Sequence, residues 1–332
     1  MNEKWIRGLM ITVVICFGIS ATIFSVYKGV ENFKNVGEIV QEKISGDSEV
    51  EKQNAELKTQ LEEQSKQIEE LNKQLEDEKN KARNVPISAE DKIALSQKKT
   101  QEAYQFFLKK DFNSALNLSA QAVELNPQNA FAFFLRGATF VQLKDYTQAL
   151  ADLNKSISLA PTYAMAYNER GAIYFYLKDD GKAFEDFNKA IQLDQNLEMA
   201  YCNRGNVYIN LKNYNAAIND FTKAIQLNPK KPINYYNRGV VYGTLKNYNL
   251  AMTDYNKAIQ LNQNYVEAIH NRGYIYLQLK NYNQALADFN KVLQLDSNFG
   301  LAYKNRGLCQ QALGKKNLAE ADFAKAKSLG VQ

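Results

Sequence analysis

An all-α solenoid of about seven helix pairs, preceded by a transmembrane helix and a coiled-coil helix, is the fold the sequence predicts. Three observations carry it. An Arg-Gly pair recurs at Arg136-Gly137, Arg170-Gly171, Arg204-Gly205, Arg238-Gly239, Arg272-Gly273 and Arg306-Gly307, each step being 34 residues without an insertion. Residues 8–27 form an uncharged apolar run, and residues 48–83 set charged helix formers around a heptad seam. A fixed short period marks stacked units, none of which can bury its apolar face alone. The chain divides into an anchor (1–30), a juxtamembrane linker (31–47), a coiled coil (48–83), a linker with the start of the first repeat helix (84–95) and the repeats (96–332).

The anchor rests on length. GLMITVVICFGISATIFSVY spans 20 residues, which at about 1.5 Å per residue crosses the roughly 30 Å hydrocarbon core of a bilayer. Trp5 and Tyr27 flank it at interfacial depth, and Arg7 and Lys28 bracket its ends. A cleaved signal peptide is the alternative, because Lys4 and Arg7 make a basic leader and Gly18-Ile19-Ser20 is a small-residue site. The apolar run continues seven residues past that site, which favours an uncleaved anchor. Cys16 follows Val14-Ile15 and lacks the setting of a lipidated cysteine. A short basic tail such as Lys4 and Arg7 tends to stay in the cytoplasm, which favours repeats on the extracytoplasmic side, periplasmic or equivalent; Lys28, Lys34 and Lys43 after the span leave cytoplasmic repeats as the alternative.

Between anchor and repeats, Val50, Leu57, Gln64 and Leu71 occupy one core position of a heptad, and Asn54, Leu61, Ile68 and Leu75 the other. About four heptads suffice for a coiled coil and hence a homo-oligomer. Asn54 and Gln64 lower its stability and fix its register. The alternative is a single solvated helix acting as a spacer. Asn84, Val85 and Pro86 break the pattern.

With Ala164 as position 1, one repeat reads AMAYNERGAIYFYLKDDGKAFEDFNKAIQLDQNL, placing Tyr167, Gly171, Tyr174, Ala183, Phe187, Ala190 and Leu193 at positions 4, 8, 11, 20, 24, 27 and 30. Position 20 is alanine in all seven units, from Ala115 to Ala319, and Pro127, Pro161 and Pro229 follow three second helices. This pattern resembles the tetratricopeptide repeat over residues 96–332. Small residues at 8, 20 and 27 let two antiparallel helices approach, while large ones at 4, 11 and 24 fill the space beside them. The first unit departs from the pattern with Ala103, Glu102 and Ser119, and its first helix is expected to begin early, at a Ser88-to-Asp91 cap. In the seventh, the polar second helix NLAEADFAKAKSLG serves as the terminal face.

Position 7 is arginine in six units, and those same six carry aspartate at position 23: Asp152, Asp186, Asp220, Asp254, Asp288 and Asp322. The first unit lacks both, with Glu102 and Leu118 in their places. At 100° per residue each lies at the same offset from the interhelix seam, so a guanidinium–carboxylate pair across the seam is expected. A row of phosphate-binding arginines is the sharper alternative, but the aspartates would neutralise it.

The resemblance implies a protein-binding scaffold or adaptor whose first helices line a concave groove holding a peptide of a partner. Positions 2, 5, 9 and 12 fall about 120°, 60°, 100° and 40° from Gly8, opposite position 7. They include Phe131, Phe134, Met165, Asn168, Phe175, Cys202, Asn206, Ile209, Ile233, Tyr236, Val240, His270 and Tyr274. Contacts there are apolar and neutral polar. Relatives that bind chaperones clamp a carboxylate with cations and asparagines; here Asn206 and the position-6 residues Asn203, Asn237, Asn271 and Asn305 match without the cations. The alternative is that the apolar residues merely pack between repeats, and that His270 is a surface histidine. A structural tether working through the coiled coil and the outer faces is the second functional reading.

Composition points away from enzymes. One histidine and three separated cysteines (Cys16, Cys202, Cys309) make no metal site, triad or CxxC pair, and no Gly-rich phosphate loop occurs. No cofactor is expected. Residues 1–95 carry 13 Lys/Arg against 17 Asp/Glu, and residues 96–332 carry 28 against 19. The excess is spread over turns and outer faces, with no basic run to track a nucleic acid, so none is expected as a partner.

Overall fold

A computed structural model describes residues 48–83 and 88–331. The apolar run at 8–27 and the juxtamembrane linker lie outside the described residues, as do Asn84, Val85 and Pro86. Among the described residues no helix is long and apolar enough to cross a membrane. All regular structure among them is helical.

Helix α1, Ser48–Arg83, belongs to one unit and the repeats to another. Along α1 the seam residues Ile68 and Leu75 are half-buried while Gln64 and Leu71 are exposed.

The repeats form fourteen helices: α2 (Ala89–Leu108), α3 (Phe112–Leu125), α4 (Ala130–Gln142), α5 (Tyr146–Leu159), α6 (Ala164–Tyr176), α7 (Asp180–Leu193), α8 (Glu198–Asn210), α9 (Tyr214–Leu227), α10 (Pro232–Thr244), α11 (Tyr248–Leu261), α12 (Val266–Gln278), α13 (Tyr282–Leu295), α14 (Gly300–Ala312) and α15 (Lys316–Ser328). Each first helix packs on its own second helix, each second helix on the next first helix, and successive first helices also touch. As the sequence suggests, α2 starts early: the Ser88 hydroxyl accepts from the Asp91 amide at 3.0 Å and donates to the Asp91 carboxylate at 2.8 Å.

Volume alternation sets the packing. The position-20 alanines are fully or almost fully buried, as are Phe187, Phe221 and Phe289 at position 24. Each of these rings slides over the glycine of its own first helix. A Cβ placed on Gly205 would stand 2.7 Å from the Phe221 ring, and one on Gly171 would stand 2.8 Å from Phe187. Glycine is required there for close approach, although it weakens the helix by about 1 kcal/mol relative to alanine.

The turn inside each unit is equally regular. Lys110, Lys144, Lys178, Lys212, Lys246 and Lys280, all at position 15, have φ between 56° and 65°, and Gly314 takes that place in the last unit with φ 76°. A left-handed residue closes each first helix. The next residue then starts the second one: the side chains of Asp111, Asp145, Asp179 and Asn213 each accept the backbone N–H of the third residue of that helix.

Candidate functional site

The predicted arginine–aspartate pairs form in all six units. Nε of Arg136, Arg170, Arg204, Arg238, Arg272 and Arg306 donates to one carboxylate oxygen, and Nη2 to the other, at 2.6–2.9 Å. The remaining amino group reaches back one repeat. Arg170, Arg204, Arg272 and Arg306 donate through Nη1 to Asn154, Asn188, Asn256 and Asn290, and Arg238 to the Thr222 hydroxyl. Each of these five guanidiniums thus ties three helices together. The paired aspartates raise the Arg170, Arg204, Arg238, Arg272 and Arg306 pKa values further, and desolvation opposes them. With their charge paired to aspartate and three of five N–H donors engaged inside the solenoid, these five cations serve as struts across the seam.

A second ladder runs along the first helices. Asn203 donates to Asn168 Oδ1 at 3.0 Å, Asn237 to Cys202 Sγ at 3.6 Å and Asn206 Oδ1 at 3.3 Å, Asn271 to Tyr236 Oη at 3.4 Å, and Asn305 to His270 Nε2 at 3.1 Å. Each position-6 asparagine bonds position 5 of the preceding repeat. These amides, which resemble half of a carboxylate clamp, are committed inside the solenoid.

The thirteen predicted groove residues divide by depth. Phe134, Asn168, Cys202 and His270, all at position 5, are buried. Met165, Phe175, Asn206, Ile209, Ile233, Tyr236 and Val240 are half-buried, and Phe131 and Tyr274 are 37% and 45% exposed. Position 5 packs against position 34 of its own unit: ring centroids lie 4.9 Å apart for Phe134–Tyr163, 5.1 Å for Tyr236–Tyr265 and 4.9 Å for His270–Phe299. Cys202 and Cys309 are free and buried, and burial pushes both thiols up to about 11.

His270 is neither a surface histidine nor an open groove contact. It lies between Phe289 and Phe299, its Nδ1 faces the Asn271 oxygen at 3.2 Å, and Asn305 donates to Nε2. That pattern selects the neutral tautomer with the proton on Nδ1. Burial lowers its pKa, and the bond to Asn271 opposes the shift. A depressed folded pKa means the unfolded chain binds the proton more readily. The stabilisation is complete above the ordinary histidine value, about 6.5, and is lost as pH falls through the lower folded value. Thermal melts at pH 7.5 and 5.0 are expected to show a larger drop for the native chain than for His270→Gln. Equal drops would refute the assignment.

Sequence reasoning missed the reach of the arginines into the previous repeat, the asparagine ladder and the position-34 rings. It also passed over Glu169 on α6, which holds position 6 in the unit just before the run of asparagines. Among the described residues no cluster of His, Cys, Asp and Glu could hold a metal ion.

Tetratricopeptide repeat models match residues 132–163, 164–197, 199–231, 234–265 and 266–299. No curated protein matches the sequence. Among solved structures, Pseudomonas aeruginosa pilF is 17% identical, with 68% of this chain and 99% of that one covered and a TM-score of 0.59. A tetratricopeptide repeat protein from Parabacteroides merdae is 24% identical, with 72% and 94% covered and a TM-score of 0.54. The tetratricopeptide protein YrrB, described as having an unusual peptide-binding site, is 25% identical, with 53% and 91% covered and a TM-score of 0.46. Small-residue seams, paired helices and matched models agree, and over residues 132–299 the chain is a tetratricopeptide repeat protein.

Proposed function

We propose that the chain is a membrane-anchored scaffold whose first helices hold a peptide segment of a partner protein. The observation that carries this is the residual exposure of Phe131 and Tyr274 on a face whose other predicted residues are half-buried or buried. Apolar side chains left partly open on a rigid, regularly spaced row suit capture of an extended or helical segment. The anchor at 8–27 would hold that row near a bilayer, with the repeats extracytoplasmic. Tethering through α1 is a second reading, favoured by the half-open Ile68, Leu71 and Leu75 seam; it would act through a homo-oligomer.

Photo-crosslinking in native membranes tests the groove. With a crosslinker at Ile233 or Tyr274 of the full chain, one partner band is expected, and it should be absent with the crosslinker at Lys189 on a second helix. The double change Phe131→Asp and Tyr274→Asp should abolish the band while circular dichroism shows the repeats still folded, with some loss of melting temperature from the Phe131 ring contacts. High salt should leave it intact. A band that survives both aspartates, or that forms only at Lys189, refutes the groove.

A further inference from the structure

The asparagine ladder ends on a carboxylate. In the four units from the fourth to the seventh, position 6 is asparagine and finds a polar or sulfur atom at position 5 of the repeat before it. In the third unit position 6 is Glu169, and position 5 of the preceding repeat is Phe134, whose ring offers no hydrogen-bonding atom. Asn168 accepts from Asn203 and passes its own amide to Glu169 at 3.3 Å, a long bond and, among the described residues, the one hydrogen bond this carboxylate makes. An ionised carboxylate has about four acceptor sites. Arg170, the adjacent cation, is turned to the other ladder and held by Asp186 and Asn154.

The register of the ladder sets Glu169 opposite Phe134, which belongs to a cluster of rings. Tyr104, Phe131, Phe134 and Tyr163 form one cluster, with centroids 6.1 Å apart for Tyr104–Phe131, 5.9 Å for Phe131–Phe134, 6.4 Å for Phe131–Tyr163 and 4.9 Å for Phe134–Tyr163. Tyr163 lies close enough to feel Tyr104 and Glu169: its phenol is pushed up to about 12, first by burial and then by those two neighbours. Burial also raises the Glu169 carboxyl, which the bond from Asn168 only partly offsets. A partly desolvated carboxylate short of donors gains from a cation brought in. Ring faces add their own attraction for such a cation. Phe131, 37% exposed, leaves the cluster open on the predicted groove side.

We propose that Glu169, together with Tyr104, Phe131 and Tyr163, forms a subsite for one cationic side chain, lysine or arginine, of the peptide held in the groove. The inference rests on the groove reading above and adds its first charge requirement. Beside these rings the ion pair is partly shielded from salt, so it fits an otherwise apolar groove.

Two pools of acetylated heptapeptides with randomised flanks, identical except for arginine or its neutral isostere citrulline at the centre, provide the test on the full-length chain in detergent. The native chain should retain the arginine pool about tenfold more strongly. Glu169→Gln keeps the acceptor for Asn168 and removes the charge, and should level the two pools with an unchanged melting temperature. Tyr274→Asp, remote from the subsite, should lower both pools in proportion and keep their ratio. If the native chain holds both pools equally while Tyr274→Asp weakens both, the groove stands and the cation subsite is refuted. If Glu169→Gln leaves the arginine preference intact, the carboxylate is structural. If neither pool binds, or Tyr274→Asp changes nothing, the groove reading falls and the subsite with it.

Discussion

Phe221→Ala is expected to lower the unfolding free energy of the repeats by about 3–5 kcal/mol, the loss for a large buried ring replaced by a methyl. Phe221 has no exposed surface and packs among Ala217, Ala224, Cys202 and Val241. Its ring lies directly against Gly205, in the slot between helices α8 and α9. Urea unfolding followed by circular dichroism measures the effect. A smaller m-value is also expected, because weakening the fourth of seven units lets the flanking repeats unfold apart. Gly205→Ala destabilises for the opposite reason, since its Cβ would stand 2.7 Å from the ring. With Phe221→Ala already present, that clash disappears and the added methyl fills part of the cavity, so the two changes are strongly non-additive. A loss under about 1 kcal/mol for Phe221→Ala would rule out this account of the seam.

The second large effect belongs to Arg238 and Asp254. The guanidinium donates to both carboxylate oxygens at 2.8 Å and to the Thr222 hydroxyl at 3.0 Å, with side-chain exposures of 19% for Arg238 and 4% for Asp254. Arg238→Leu strands a carboxylate that water barely reaches and should cost about 3 kcal/mol. Asp254→Leu should cost less, because the arginine is the more exposed partner and keeps Thr222 and the Tyr242 ring at 5.9 Å. Removing both replaces two desolvated charges by apolar volume and should restore about 1–2 kcal/mol relative to the sum. Denaturant midpoints for the four chains close the cycle. Strict additivity would show that the pair does not act as a unit.

The solenoid was legible because its period is carried by residues whose size is fixed by contact: glycine at 8, alanine at 20 and a ring or leucine at 24 cannot be exchanged freely where two helices touch. The Arg–Asp pairing was legible for a similar reason, since Arg238 stands 16 residues before Asp254 and the same offset recurs six times. The asparagine ladder was hidden. Its bonds cross from one repeat to the next, and the partners of Asn203, Asn237, Asn271 and Asn305 are chemically unlike one another: an amide, a thiol, a phenol and an imidazole. The groove was legible only by angle. Position 5 sits about 60° from Gly8 and positions 2 and 9 about 100–120° away, so Phe134, Asn168, Cys202 and His270 turn toward the seam while Phe131 and Tyr274 stay open. Glu169 escaped notice because a single glutamate on a helix is ordinary until the ring opposite it is known.

The two ladders also decide how a force applied to the molecule is distributed. From the third unit to the last, every junction between repeats is stitched by an arginine on one side, and each junction from the third onward by an asparagine on the other. Two parallel lines of stitching resist torsion, since twisting one repeat against the next must shorten one line and stretch the other. The first junction has neither: Ala120 and Leu135 stand where the acceptor for Arg136 and the position-6 asparagine would be, and the ring contact of Tyr104 with Phe131 bridges it instead. Tension entering from the N-terminal side would therefore peel the first helix pair away as a soft spring before the stiff remainder yields.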